Sequence, residues 1–314
     1  MQLSKYFGQE LGPINDEISR YFDASLSENT KKSFVWDLNH YKRWGGTLPA
    51  TIRGLATYLS HYAVTLKASS LQKRLNSIRL WHRINRLPDP ADCIEIKQLM
   101  AGIKRVHLTK TKKANPLTFE QLVLIHDLLS KSDKLIDLRN LTLLMIGFFG
   151  AFRRSELIAI QFEELIFTDD GLSIFIPRSK TDQTGEGQNV AIPYGTDKIC
   201  PIRTLKKWLM LAEIDAGPVF IQVRRGGNCQ DEGIAAQNVS DILKELALMV
   251  GLDDFDGFSG HSLRRGFATT ASRLGSSIPS IMRQGRWTNP SSVMGYIEEA
   301  NQFTDNAAGK ILMS

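Results

Sequence analysis

The stretch HSLRRGFATT, His261 to Thr270, decides how the rest of the chain is read. Leu263, Phe267 and Leu274 recur at helical intervals, which predicts an amphipathic helix with one buried side. His261 and Arg264 stand three apart and are neighbours on a helix surface. A histidine and an arginine are therefore aimed together at something the apolar pattern does not explain. Arg264 and Arg265 are adjacent, and adjacent helical residues point about 100° apart, so the two cannot share one role.

Upstream of this helix the pattern is mainly helical. LTFEQLVLIHDLLSKS opens after Pro116 with Thr118 and Gln121 in capping-box spacing. The apolar run LTLLMIGFFGAF, Leu141 to Phe152, reads as a buried core helix that leads into RRSELIAIQFEELIF. LSIFIP and NVAIP alternate like two short strands around RSKTDQTGEGQ, which gives one small sheet. Helices resume with IRTLKKWLMLAEI and NVSDILKELALMV. Beyond the opening stretch, Asn289 and Pro290 form a cap-and-first-turn pair for a short helix carrying Tyr296. In the tail, Thr304 or Asp305 caps a last helix with Ala307, Ala308, Ile311 and Leu312 on its apolar face.

The first hundred residues also read as helices. SENTKKSFVWDLNHYKRWGG offers Ser27 or Asn29 as a cap and Gly45-Gly46 as the stop. TIRGLATYLSHYAVTL follows Pro49, and KASSLQKRLNSIRLWHRINRL spaces Leu71, Leu75, Ile78, Trp81 and Ile84 helically before Pro88. No acidic residue occurs from Lys67 to Pro88. A solvated face usually mixes signs, because opposite charges at i,i+4 support a helix and like charges oppose it. Ser70, Lys73, Arg74 and Ser77 form a polar and basic stripe suited to a major groove. The segment KRVHLTKTKKANP, with Lys110 and Lys112, reads as an interdomain linker, either following phosphates or serving as a solvated tether. The expected division is a helical domain over 1–103, a basic linker over 104–117 and a second domain over 118–314. The fold class is mainly α, with helices alone first and a mostly helical domain with a small sheet second.

Composition bounds the function. A chain of 314 residues has room for two domains of ordinary size. With 42% hydrophobic and 23% charged residues it falls in the soluble globular class. The net charge of +6, from 39 Lys+Arg against 33 Asp+Glu, leans towards an anionic partner such as nucleic acid; by itself it leaves ribosomal, membrane-surface and solubility explanations open. Cys93, Cys200 and Cys229 are scattered and form no CxxC, so neither a disulfide framework nor a zinc ribbon is indicated, and a reducing cytosol is expected. MQLSKYFGQELG lacks a signal-peptide core, and Leu141 to Phe152 is too short to span a bilayer, so no membrane partner is expected.

The residue supply narrows the chemistry further. Six histidines, none in HxxxH spacing, and no Asp/Glu cluster leave a hydrolytic metal site unsupported. Neither GxxxxGK[ST] nor GxSxG is present. What remains is cationic. Arg153 follows a buried helix and needs a partner there, and Glu156 is three residues on. Two arginines, a lysine, a histidine and a tyrosine suit phosphoryl transfer without a metal. Arginines neutralise phosphate oxygens by bidentate hydrogen bonds, a tyrosine hydroxyl attacks phosphorus, and a lysine protonates the leaving hydroxyl. Spacing alone does not bring Arg153, Lys180, His261, Arg264 and Tyr296 together, and each has a structural reading of its own.

AFRRSEL, SKT, GHSLRRGFATTASRLG and GRWTNPSSVMGYI stand in the order and approximate spacing of the tyrosine recombinase (phage integrase) family, and the chain resembles its Cre-like branch. The likeness extends to SENTKKSF, the basic helix and LPDPAD, so it covers nearly the whole sequence. It implies two domains clamping duplex DNA. Arg153 and Arg264 would hold the scissile phosphate, selected over Arg154 and Arg265 by the R-x-S-E-L and H-x-x-R frames. Glu156 would orient that cluster, and Lys180 would be the general acid. His261 would donate a hydrogen bond or accept a proton. Trp287, where many relatives have histidine, donates an indole N–H but cannot take up a proton. Tyr296 would be the nucleophile of a 3′-phosphotyrosyl link, with neither metal nor ATP required.

The resemblance also implies double-stranded DNA with an inverted-repeat site as partner, bound by a homodimer and paired in a homotetramer. It further implies exchange through a Holliday junction, with the last helix docking into a neighbouring subunit, in the cytoplasm of a bacterium or a phage or plasmid host. Gln237 and Asn238, at a helix start, suit adenine edges, although capping explains Asn238 equally well. The rival expectations are a type IB topoisomerase-like relaxing enzyme and a non-catalytic DNA-binding regulator.

Overall fold

The structure is a computed structural model. It describes residues 20–21, 25–107, 113–177, 186–224, 226–301 and 307–312. The chain divides into two compact units, Met1–Thr111 and Lys112–Ser314.

Among the described residues, the first unit is built mainly from four helices: α1 (Glu28–Arg43), α2 (Ile52–Tyr62), α3 (Ala68–Ile84) and α4 (Ile94–Val106). Ser27 caps α1, its hydroxyl accepting the Thr30 N–H at 3.3 Å, and thereby satisfies one of the free donors at the helix start. Phe34, Leu38 and Tyr41 of α1, Leu55, Tyr58 and Leu59 of α2, and Leu71, Leu75 and Ile78 of α3 meet in one core. The intervals of three and four put each set on a single helix face. Helix α4 runs three residues into the segment expected to be linker; Ile103 packs into the core and holds that last turn on the unit.

The second unit is organised around α6 (Leu135–Phe149), buried on nearly every side from Arg139 to Phe148. Such all-round burial follows from its nearly continuous apolar sequence. Around it lie α5 (Phe119–Leu129), the single turn α7 (Arg154–Leu157), α8 (Pro201–Leu211), α9 (Ala236–Met249) and α10 (Gly260–Arg273). The capping box of α5 is formed, with Gln121 N–H on Thr118 Oγ1 at 3.3 Å and Thr118 N–H on Gln121 Oε1 at 3.0 Å.

Among the described residues there are two small antiparallel sheets, where the alternation pattern predicts one. The first has the order β1 (Leu165–Phe167), β2 (Gly171–Ile176), β3 (Gln188–Pro193), with Ile174 paired to Leu165 and to Val190. The second pairs β4 (Ile221–Val223) with β5 (Cys229–Gly233). The sequence of β5, CQDEG, has no apolar alternation, so its place in the sheet rests on pairing with β4 rather than on burial.

Also described in the second unit are the helices α11 (Ile278–Gly285), α12 (Pro290–Asn301) and α13 (Ala307–Leu312). Ala268 of α10, Ile281 of α11 and Val293 of α12 form a separate small core, with Trp287 and Tyr296 packed on it. Asn289 caps α12, its Oδ1 accepting the Ser291 N–H at 2.9 Å. The caps expected for α13 at Thr304 or Asp305 lie outside the described residues. Among the described residues, no helix is long and apolar enough to cross a membrane.

Candidate active site

Helix α10 brings the opening stretch to the middle of the second unit. Ser259 and Ser262 form its capping box; Ser259 Oγ also accepts the His261 N–H at 3.3 Å. Leu263 is fully buried and Phe267 partly buried, as the periodicity requires. Leu274 departs from that expectation: it stands one residue past the helix and is 79% exposed. A Cβ at Gly266 would collide with the Leu117 carbonyl, so only glycine lets segment 113–117 lie along the helix. That segment is fastened by Leu117 N–H to Ser262 O at 3.0 Å and Asn115 N–H to Gly257 O at 2.9 Å.

The two members of the 261/264 pair have different surroundings. His261 is exposed in the first turn, whereas Arg264 is buried. Arg264 Nη1 donates to Ala151 O at 2.7 Å, and its guanidinium lies 4.0 Å from the centre of the Trp287 ring. Its Nη2 is buried without a hydrogen-bond partner. Burial above all, and then the positive charges of Arg153 and Arg286, push its pKa down to about 9, against the pull of Glu156 and Tyr296.

Arg153 precedes α7, where its Nη1 donates to Glu156 Oε1 at 2.5 Å and its backbone N–H to Glu156 Oε2 at 3.0 Å. Glu156 is buried and also receives Arg286 Nη2 on Oε2 at 2.8 Å. Burial pushes its carboxyl pKa up, but Arg286 first and Arg153 next outweigh that, so it is held below the usual range. The result is one carboxylate among three arginines, a local excess of two positive charges.

Trp287 and Tyr296 complete the group. Their rings meet edge-on at 6.3 Å between centroids. A Cβ at Gly285 would collide with the Trp287 ring, so this glycine gives the indole its seat. Gln284 Nε2 donates to Phe149 O and Ala191 O, both at 2.9 Å, and ties α11 to the end of α6 and to β3.

The remaining arginines of the paired motifs have other tasks. Arg154 is exposed and reaches Gln237 Oε1 at 3.4 Å. Arg265 is buried; it donates to Ala114 O and to Glu299 Oε2 at 2.7 Å, and its guanidinium lies 5.2 Å from the Tyr296 ring centre. Lys113 reaches the same Glu299 oxygen at 3.5 Å. Arg265 thus clasps the tyrosine helix to segment 113–114.

Arg153, Glu156, Arg264, Trp287 and Tyr296 are therefore brought together in one unit, with His261 exposed at the start of α10. Lys180 lies outside the described residues, as do Lys110 and Lys112. Arg286, Gln284 and the Arg265–Glu299 pair were not singled out in the sequence. An arginine directly after the glycine that ends a helix was the available signal for Arg286.

Of the other DNA-facing expectations, Gln237 and Asn238 are exposed at the start of α9. Asn238 Oδ1 caps that helix by accepting the Ala235 N–H at 2.9 Å, and Gln237 donates to Asp241 at 3.0 Å. On α3, Lys73 is exposed and Ser70 half-buried, but Arg74 is turned inward, 4% exposed. Its guanidinium lies 4.8 Å from the Trp36 ring centre and 5.8 Å from that of Tyr62. The flat aromatic faces of α1 and α2 offer this cation a better berth than a like-charged helix face does. Ser77 also turns in, donating to Asp37 at 2.8 Å.

Residues 94–302 match the phage integrase family. The chain is 37% identical over 301 residues to an integrase/recombinase xerD homolog of Selenomonas ruminantium, covering 93% of this chain and 88% of that protein. It is 28% identical over 310 residues to the recombinase cre of Escherichia phage P1, covering 89% and 87%. A XerH site-specific recombinase bound to palindromic difH substrate, in a post-cleavage complex, has the same fold. Its TM-score is 0.63 at 16% identity, covering 91% of this chain and 80% of that one. The chain belongs to the phage integrase family, whose members are tyrosine site-specific recombinases, enzymes that break and rejoin DNA. The relationship to Cre holds, although identity to the xerD homolog is higher.

Proposed function

We propose that the chain recombines double-stranded DNA at an inverted-repeat site, with Tyr296 as the nucleophile. The Tyr296 Oη–P bond forms as the bond from phosphorus to the 5′-oxygen breaks, leaving a 3′-phosphotyrosyl link and a free 5′-hydroxyl. Arg153 and Arg264 neutralise the non-bridging oxygens, where negative charge grows in the transition state. Trp287 adds an indole N–H. Glu156 orients Arg153, and His261 donates to the phosphate or accepts the tyrosine proton. Lys180 gives its proton to the departing 5′-oxygen. Attack by the 5′-hydroxyl of a second duplex reverses the step and passes through a Holliday junction. The covalent ester stores the energy of the broken bond, so neither metal nor ATP enters the step.

Residues 1–103 serve as the DNA-binding domain, with the half-buried Ser70 and the exposed Lys73 of α3 towards the groove. The 104–117 segment, with Lys110 and Lys112, follows phosphates, and 118–314 carries the chemistry, with Gln237 at a base edge. Arg74 is withdrawn from the groove-reading set because it is buried. Assembly is a homodimer on one site and a homotetramer when two sites pair. Ile311 and Leu312 of α13 are 74% and 86% exposed, and the second unit has an apolar groove lined by Phe119, Phe148, Phe149, Phe267, Ala271 and Leu274. We assign that groove to the last helix of a neighbouring copy. It also accounts for the exposed Leu274.

The observation that supports this reading most is the grouping of Arg153, Arg264 and Arg286 around a single carboxylate, with Tyr296 packed on Trp287 beside Arg264, a cationic excess suited to a phosphodiester. The test is Tyr296→Phe on a nicked duplex carrying the half-site recovered by footprinting. The variant is expected to protect the site and form no covalent adduct; an undiminished adduct would remove Tyr296 from its role.

A further inference from the structure

Arg286 is not required by the chemistry above, yet the fold goes out of its way to place it. It closes α11 with φ 55° and ψ 44°, in the left-handed region. The Trp287 N–H bonds to Met282 O at 3.0 Å and the Arg286 N–H to Arg283 O at 3.2 Å. This is the helix-ending motif whose left-handed residue is ordinarily glycine, because a Cβ is strained there. A surface arginine at such a position would spread its side chain into water. Arg286 instead is 7% exposed, with its guanidinium 4.8 Å from the Phe152 ring centre. Nη2 donates to Glu156 Oε2 at 2.8 Å and Nη1 to Gly150 O at 3.4 Å, while Nε is buried without a partner.

Strain and incomplete pairing together argue against a simple stabilising ion pair. Buried ion pairs often do no better than apolar packing once desolvation is counted, so neither stability nor backbone fit selects this arginine. Its effect on Glu156 does. Arg153 takes one carboxylate oxygen with its guanidinium and the other with its backbone N–H, and Arg286 takes that second oxygen from the opposite element. With both oxygens engaged from two sides, the carboxylate plane is fixed, and with it the direction of the Arg153 guanidinium.

We propose that Arg286 is a positioning residue that pins Glu156 and, through it, aims Arg153 at the scissile phosphate. Arg286 is buried and directs its terminal nitrogens towards Glu156 and Gly150, which places it behind the phosphate ligands. The proposal rests on the reading of Arg153 as a phosphate ligand.

The full-length Arg286→Gly variant tests it, because glycine adopts the left-handed backbone without strain, so the side chain is removed at no backbone cost. Two quantities are measured. One is the arginine Nε–H NMR signal of Arg153 in the free protein, assigned with Arg153→Lys. The other is adduct formation and affinity on the nicked footprinted duplex. The proposal expects a shifted or broadened Arg153 signal and adduct formation slowed about 10²-fold, as misplacement of a reacting group by an ångström produces. Affinity is little changed, and Arg286→Lys, which can still pair with Glu156, recovers part of the rate. An unmoved Arg153 signal with a wild-type adduct rate overturns the proposal. So does a loss of rate and affinity in equal proportion with a lowered Tm, which marks a plain structural brace. If the underlying reading is wrong, the wild type itself forms no adduct, and the Arg153 signal still decides whether Arg286 holds that side chain.

Discussion

Each unit of the molecule buries an arginine under a tryptophan, and the two are put to different use. In the first unit Arg74 lies 4.8 Å from the Trp36 ring centre, and its Nη1 is buried without a partner. In the second, Arg264 lies 4.0 Å from the Trp287 ring centre, and its Nη2 is buried without a partner. Their neighbours differ. Arg74 sits among phenols, beside Tyr58 and Tyr62, with the buried carboxylate Asp37 nearby. Arg264 sits beside two more arginines and a single carboxylate, and its pKa is pushed down to about 9. A lone cation among aromatic faces is a packing device. Three cations crowded on one carboxylate repel one another in the protein by itself; on the proposed function an entering phosphate relieves that repulsion, which is how electrostatic preorganisation works.

The largest effect that separates the two regions is expected at the carboxylate. Glu156→Ala leaves buried guanidinium groups uncompensated and should lower unfolding stability by about 3–5 kcal/mol. Asp37→Ala should cost about 1–3 kcal/mol, the scale of a lost buried hydrogen bond. Urea unfolding of both variants measures the difference, and equal costs would break the comparison.

Next in size is catalysis. Arg264→Ala should slow adduct formation about 10²–10³-fold, the range for removing one preorganised donor. Arg74→Ala should leave the rate per bound complex at the wild-type level. Single-turnover adduct formation at saturating protein reads both, and a comparable loss in the two variants would put Arg74 in the chemistry.

A pH series sharpens the contrast. With its pKa pushed down to about 9, Arg264 should begin to lose its proton in the free protein as pH rises through that value. DNA affinity should fall there, and binding should take up a proton. Folding runs the other way: the unfolded chain keeps the arginine proton to higher pH, so above about pH 9 this group's contribution to stability rises with pH. Both slopes should be weaker in Arg264→Ala, by titration of affinity and by urea unfolding between about pH 8 and about pH 10.

The smallest effect on stability is expected at the clasp. Glu299 is half-exposed, so Glu299→Gln should change stability by no more than roughly 1 kcal/mol. Adduct formation should nevertheless slow, because Arg265 loses its hold on the helix that carries Tyr296. An unchanged rate would reduce the clasp to packing.

Much of this was legible in the chain. Strong periodicity marked the helices, and capping residues such as Ser27, Thr118 and Asn289 marked their starts. The three-residue spacing of Arg153 and Glu156 put them within reach of each other. Other features were hidden for physical reasons. The strand CQDEG has no alternation to read, and β1 is three residues long. Arg74 belongs to a helix face that reads as facing a DNA groove until the aromatic rings of α1 and α2 are placed beside it. Leu274 carries the apolar period one residue beyond the point where the helix ends. Arg286 follows a glycine and resembles a surface residue in sequence; only the left-handed turn points it into the core.

The central claim is that Tyr296 carries the covalent link, and peptide mapping tests it most directly. Cleavage after Arg286 and Lys310 releases a peptide, residues 287–310, whose sole tyrosine is Tyr296. After trapping on the nicked duplex, digestion with nuclease and trypsin should leave the nucleotide remnant on that peptide, at Tyr296. A remnant found on any other peptide, with 287–310 unmodified, would contradict the account.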